Sequence, residues 1–198
     1  MLTWIIVSAA IAALGGGAIG IYRASNATSR RDRQLAEPPK ERTIRELLPN
    51  DIVTFENKDF LVEGLIIYDE DGHTWKAARM VDEGKERWIM TGMERTPGLT
   101  SPVRVLDRDT TLQITGYPPE VLEVGGEQFR LSTRGNAGVT AQGEVGIPGL
   151  GKSLMRIRYW RYTAPGDKMV IVEQWGSDYR AVTGKALPEH MFTLLQAT

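Results

Sequence analysis

The chain has no cysteine among its 198 residues. That excludes a disulfide framework, a thiolate metal site and a cysteine nucleophile. Histidine is nearly missing too: only His73 and His190 occur. Neither belongs to an HExxH-type pair, so no metal or cofactor site is expected. Net charge is small, −1 at neutral pH. With no basic excess in the globular part, nucleic acid is not an expected partner. One further absence is local: Leu2 to Tyr22 contains no charged residue.

That apolar run is long enough to cross a bilayer, which takes about 20 residues as a helix. A cleaved signal peptide is the alternative, but such peptides begin with positive charge, and here no Lys or Arg precedes the run. Trp4 and Tyr22 stand at its ends, where aromatic rings favour the headgroup region. Arg23, Arg30, Arg31 and Arg33 follow, opposed by Asp32 alone. Positive flanks stay inside. A single-pass protein is therefore expected, its N-terminus outside and its main domain in the cytoplasm. The four arginines suit contact with anionic lipid headgroups; a solvated linker that only sets topology is the plainer reading. Ser8, Ala12, Gly16 and Gly20 recur every four residues, and Gly16 with Gly20 forms a GxxxG pair. Such a face suits a homodimer or a partner helix, although small residues are common in membrane helices anyway.

Three segments follow from the pattern: an anchor at 1–23, a basic juxtamembrane linker at 24–46, and a domain at 47–198. Thr43-x-x-Glu46 reads as a capping box for one turn that Pro49 ends. From Asp51 onward, short runs rich in Val, Ile, Phe and Trp alternate with turn residues, the mark of an all-β sandwich or barrel. Strands are expected at 51–56, 59–67, 73–80, 86–92, 102–106, 110–115, 120–124, 127–133, 154–163, 168–175 and 178–184. Leu187, Met191, Leu194 and Leu195 make a helical stripe over 187–196, with Pro188 in its first turn. An internal repeat is visible. Val53–Gly64 resembles Leu122–Thr133, with Phe60 over Phe129, and Trp75–Met90 can be laid over Ile157–Val172, with Gly84 over Gly166. The second copy then carries a Gly-rich insertion, Gly135 to Lys152. The expected fold is mainly β, two similar antiparallel units at about 47–106 and 117–186, sandwich or barrel-like, with an N-terminal transmembrane helix and a short C-terminal helix.

No catalytic constellation emerges. Gly146 to Ser153 matches the P-loop letters GxxxxGKS, but that motif needs a helix after it and a parallel α/β sheet around it. The sequence from Leu154 alternates like a strand, so a Gly-rich loop is the better reading. On that strand Arg156, Arg158, Trp160 and Tyr162 share one face, and Met155, Ile157, Tyr159 and Arg161 share the other. The second set reads as the core face. The first set could meet an acidic partner or anionic lipid, with Arg stacked on Trp160; a solvent-facing strand is the plainer alternative. Trp75 and Trp88 read as core, and His73 as exposed. Glu173 ends an apolar strand and is the one carboxylate to watch, either as a site or as half of a structural ion pair.

Several short segments stand out: Leu48-Pro-Asn-Asp-Ile-Val53, Lys58-Asp-Phe-Leu-Val-Glu-Gly64, Asp71-Gly-His-Thr-Trp75 and Arg87-Trp-Ile89, then Arg161-Tyr162, Val172-Glu173-Gln-Trp175 and Gly184-Lys185. Together they resemble a bacterial family known as a domain of unknown function, number four-one-seven-eight. Asn50 and Ile89 replace the usual Gly and Leu. The resemblance covers roughly 47 to 195. It carries over no activity. It implies a neighbourhood: members are often encoded beside phage-shock-protein-A-like membrane remodellers. The expected function is thus a non-enzymatic membrane-anchored adaptor in bacterial envelope maintenance, binding lipid and such a protein partner and using no cofactor. The alternative is a small-molecule or nucleotide-binding domain, with or without catalysis, its site between the two β units under a 135–153 lid.

Overall fold

The computed structural model describes residues 41–95, 102–147, 150 and 154–197. The chain parts between Glu41 and Arg42, and all elements below belong to the second unit. The expected anchor and linker arginines, with Ser8, Ala12, Gly16, Gly20, Arg23, Arg30, Arg31 and Arg33, lie outside the described residues. Among the described residues no helix is long and apolar enough to cross a membrane.

Among the described residues eleven strands follow one another: β1 (Ile52–Phe55), β2 (Lys58–Glu70), β3 (His73–Asp82), β4 (Lys85–Thr91), β5 (Val103–Asp109), β6 (Val121–Val124), β7 (Glu127–Gly143), β8 (Met155–Ala164), β9 (Lys168–Trp175), β10 (Asp178–Leu187) and β11 (Thr193–Leu195). Short turns dictate the hairpins. Glu56-Asn57, Asp71-Gly72, Glu83-Gly84 and Gly125-Gly126 all hold both residues at positive φ, the type I′ geometry whose twist matches paired strands. Every pairing is antiparallel, in the order β2-β3-β4-β5-β10-β9-β8-β7. β7 then pairs with β2, Gly64 opposite Gly143, and closes an eight-stranded barrel.

Alternation sorts side chains to two sides of the wall. One cluster, including Tyr68, Trp75, Trp88, Met90, Leu106, Val139, Tyr159, Ile171 and Val182, draws on all eight strands and fills the interior, as expected of a barrel this narrow. The outer side is covered twice. β1 with β11 packs Val53, Phe55, Phe192 and Leu194 onto Met80, Ile89 and Val105. The β6–β7 hairpin packs Leu122 and Phe129 onto Trp160, Tyr162 and Val172.

The two halves repeat in register. Val53 opposite Phe60 recurs as Leu122 opposite Phe129. A bulge at Glu63, between paired Val62 and Gly64, recurs at Ser132, between Leu131 and Thr133. Bulges sharpen the bend of a strand, and both let a long strand leave its outer hairpin and enter the barrel. Past the next turn the sequence alignment slips by one. Asp82 pairs Lys85 across two residues, whereas Ala164 pairs Lys168 across three. The equivalent of Glu173 is therefore Met90, and that of Val172 is Ile89.

Three expected elements differ. The 187–196 helix does not form: Leu187 ends β10, Glu189–Met191 is a single 3-10 turn, and β11 pairs with β1. Phe192 stacks on Phe55 at 5.0 Å, and burial of Phe192 and Leu194 follows period two, leaving Met191 and Leu195 exposed. Residues 110–115 form no strand, because the Asp109 carboxylate accepts from the Thr111 and Leu112 amides at 2.8 and 3.0 Å and turns the chain. Finally, Gly135 to Gly143 is not loop but the barrel-closing half of β7.

Asp51 ties the two ends of the domain together. The capping box at Thr43 and Glu46 forms around Ile44–Glu46, and beyond it Asp51, wholly buried, accepts two bonds from Arg42 at 2.6 and 2.7 Å. It also accepts from the Leu48 and Ala197 amides at 2.8 and 2.9 Å. Burial alone would raise its pKa, but Arg42 and the two amides outweigh it and hold it below the usual carboxylate range. A depressed carboxylate contributes stability that is complete above the unfolded pKa and lost as pH falls through the folded one. Asp51→Asn should therefore cost about 2–3 kcal/mol at pH 7. The gap between variant and wild-type urea midpoints should narrow as pH falls below the ordinary carboxylate range and close once the folded-state carboxyl is protonated. A gap independent of pH would refute this assignment.

Candidate functional site

Inward alternation along β9 places Glu173 in the barrel beside Ile171 and Trp175. Its carboxylate accepts from Tyr68 Oη at 2.7 Å, Trp175 Nε1 at 3.1 Å and Arg180 Nη1 at 3.4 Å. Burial, and then the charge of Glu173, push the Tyr68 phenol well above its ordinary pKa. Arg180 lies over the Trp88 ring at 4.0 Å. Next to it Arg79 pairs with Glu63 and, at 2.8 Å, with Glu86, whose other oxygen accepts from Trp88 Nε1 at 2.8 Å. Two arginines thus meet three glutamates at this end of the barrel. The chain after β7 covers it: Val145 and Leu150 join the interior cluster, and Gly146 sits so close to Arg79 that a Cβ there would lie 3.3 Å from Nε.

The opposite end is built differently. Arg161, the equivalent of Arg79, lies 5.1 Å from the Trp75 ring and 5.0 Å from Tyr159, and donates to Met93 O at 3.0 Å. Burial strips water from this guanidinium and lowers its pKa. Arg104, the equivalent of Arg180, is nine-tenths buried and pairs with Glu94, while its Nη1 has no hydrogen-bond partner among the described residues. Glu70 accepts from Arg95 and from Tyr159 Oη, each at 2.5 Å. Burial and that bond raise the Tyr159 pKa to about 12. Between these groups lies a cleft of ≈ 470 Å³, lined also by Ser132, Thr133, Arg134, Thr163 and Met169.

The expected surface residues divide. Arg156 and Arg158 are exposed on the outer side of β8, beside a groove of ≈ 400 Å³ shared with Asn136 and Gln174. A neighbouring ≈ 300 Å³ hollow joins Arg158 to Arg134 and Tyr117. Trp160 and Tyr162 share that side, as alternation requires, but the β6–β7 hairpin buries them, and Tyr162 donates to Pro119 O at 2.8 Å. Glu173 lies on the inner side of the wall, so it does not join Arg156 and Arg158. Ile157 and Tyr159 do face the core; Arg161 faces inward as well, but at the barrel mouth. His73 is half-buried rather than exposed, its ring 5.8 Å from Trp75. Within the P-loop letters, Pro148, Gly149, Gly151, Lys152 and Ser153 lie outside the described residues, and strand β8 follows at Met155. Among the described residues no three His, Cys, Asp or Glu groups converge as a metal site. Arg104 and Arg79 escaped the sequence reading. Arg79 falls on Arg161 in the internal repeat, a signal that was available.

The architecture defines a class first: a pseudo-symmetric, side-chain-filled β-barrel with a hairpin folded over each half. The model of DUF4178, described as a domain of unknown function, matches residues 48–189, and the chain belongs to that family. No curated protein and no solved structure matches the chain.

Proposed function

We propose that the chain is a non-enzymatic binding module, held at the bacterial cytoplasmic membrane by Leu2–Tyr22, that docks an acidic segment of an envelope protein on the outer face of β7 and β8. One observation carries the reading. The interior is packed with aromatic side chains and the carboxylate of Glu173 is held by three internal donors, while Arg156 and Arg158 are exposed beside a groove and form no ion pair among the described residues. Exposed guanidiniums on a rigid strand suit bidentate recognition of carboxylates, and Tyr117, 63% exposed, adds an aromatic contact. The apolar run and basic neck support the membrane location, and the family's neighbourhood supports a phage-shock-like remodeller as partner.

The test uses the tagged full-length chain, cross-linked in intact bacteria and compared with a form lacking residues 1–22 and with a double variant, Arg156→Glu with Arg158→Glu. A membrane-remodelling protein should be captured by the first two and reduced about tenfold or more in the third, since like-charge contacts cost several kcal/mol. Capture unaffected by charge reversal would overturn the assigned face. Capture lost with residues 1–22 would move the contact to the anchor.

A further inference from the structure

The internal repeat makes the two barrel ends comparable residue by residue. At the covered end, Arg79 and Arg180 are neutralised by Glu63, Glu86 and Glu173. At the other end the arginines are kept as Arg161 and Arg104, but the three glutamates are replaced. The bulge position of Glu63 is Ser132, that of Glu86 is Met169, and that of Glu173 is Met90. Where carboxylates would stand there is a cleft of ≈ 470 Å³ lined by Ser132 and Met169. Glu94 reaches Arg104, and Glu70 is engaged by Arg95 and Tyr159. Among the described residues, Arg104 still keeps one buried N–H without a partner, and Arg161 offers its guanidinium to ring faces and one carbonyl and pairs with no carboxylate.

We infer that this cleft is a binding site for a small dianionic ligand, a phosphate or dicarboxylate group, which takes the place that glutamate side chains occupy at the opposite end. Arg161 and Arg104 hold its oxygens, and the Thr133 and Thr163 hydroxyls at the rim are within its reach. Desolvated guanidiniums bind such oxyanions strongly and with defined geometry. The site joins residues of both repeat halves, so a ligand there clamps one half to the other.

Trp75, stacked against Arg161, is the built-in reporter. The full-length chain in non-ionic detergent is titrated with inorganic phosphate and with succinate, reading tryptophan emission and Tm, against sodium chloride at equal ionic strength. A saturable Tm rise with phosphate or succinate, absent with chloride, is expected. Arg104→Gln should weaken it about tenfold or more, as loss of a charged hydrogen bond does. Ser132→Glu guards against a variant that merely misfolds. It restores the missing carboxylate at an exposed bulge, so it should raise Tm of the unliganded chain and abolish the response. Phosphatidic acid carried in mixed micelles of the same detergent that competes with free phosphate, where phosphatidylcholine micelles do not, would identify a lipid headgroup as the source; no competition would identify a soluble one. No response to either anion up to about 10 mM, a response equal to that of chloride, or one that survives Ser132→Glu would overturn the assignment.

Discussion

Glu173→Ala should destabilise the domain by about 3–5 kcal/mol, the range measured when one partner of a buried ion pair is removed. Glu173 is 2% exposed and faces Tyr68, Trp175 and Arg180 inside the barrel. Truncation leaves a buried guanidinium, a phenol and an indole N–H short of an acceptor, and it opens a void in the filled interior. Domains are stable by about 5–15 kcal/mol in total, so the variant is expected to sit near the edge of folding at 37 °C. Glu173→Gln should cost less, because its carbonyl oxygen still accepts from Tyr68, while its amide now faces Arg180. Urea unfolding followed by tryptophan emission gives both values. If Glu173→Ala matched wild-type stability and lost partner or ligand binding instead, Glu173 would be a site residue and not a strut.

The segments that carry the family resemblance answer the same question more broadly. Asp51 ties the capped turn and the C-terminal strand to β1. Gly64 permits closure of the barrel, Trp75 and Trp88 fill it, Tyr162 lies under the second hairpin, and Glu173 organises one end. Gly184 allows β10 to close on β5. These residues build the barrel and do not converge on one cleft. The resemblance is therefore carried mostly by residues that build the fold; Arg161 is the one that also lines the cleft, where it is joined by Arg104 and Ser132 from outside those segments.

Local signals were legible where the physics is local. The I′ turns, the capping box and most strands are written in two- to four-residue patterns, and Phe60 over Phe129 already revealed the repeat. What failed depended on distant partners. β11 exists because β1 offers an open edge and Phe55 a stacking surface, neither visible from 187–196 alone. The second half of β7 is glycine-rich and read as loop. Gly143 belongs to the strand because a Cβ there would lie 2.3 Å from Glu63 O of β2, and Gly135 because the Glu70 and Tyr159 side chains fill the space a Cβ would take. The single extra residue at Asp167 shifted β9 against β4 and hid the equivalence of Glu173 with Met90. Trp160 lay on the expected face, but only a long-range hairpin could reveal that this face is covered there.

The same close approach gives the second large effect. Gly184→Ala should cost about 3 kcal/mol, at the upper end of the overpacking range. A Cβ on Gly184 would lie 1.9 Å from Val105 O and 2.9 Å from Leu106 Cα. Both are backbone atoms of the paired strand, so no rotamer change relieves the clash; β5 and β10 must part. That pairing is one of the two seams joining the repeat halves, the other being β2 with β7, so a local separation propagates into the closure of the whole barrel. Gly138→Ala is the matched control. Its Cβ would meet Leu154 Cδ1 at 3.0 Å, the end of an exposed side chain that can swing away, and a loss below about 1 kcal/mol is expected. Urea midpoints should separate the two, and amide exchange should rise along β5 and β10 in Gly184→Ala only. Equal stability of the two variants would mean that the β5–β10 seam tolerates a wider spacing. The barrel would then be held by its filled interior and not by the fit of its walls.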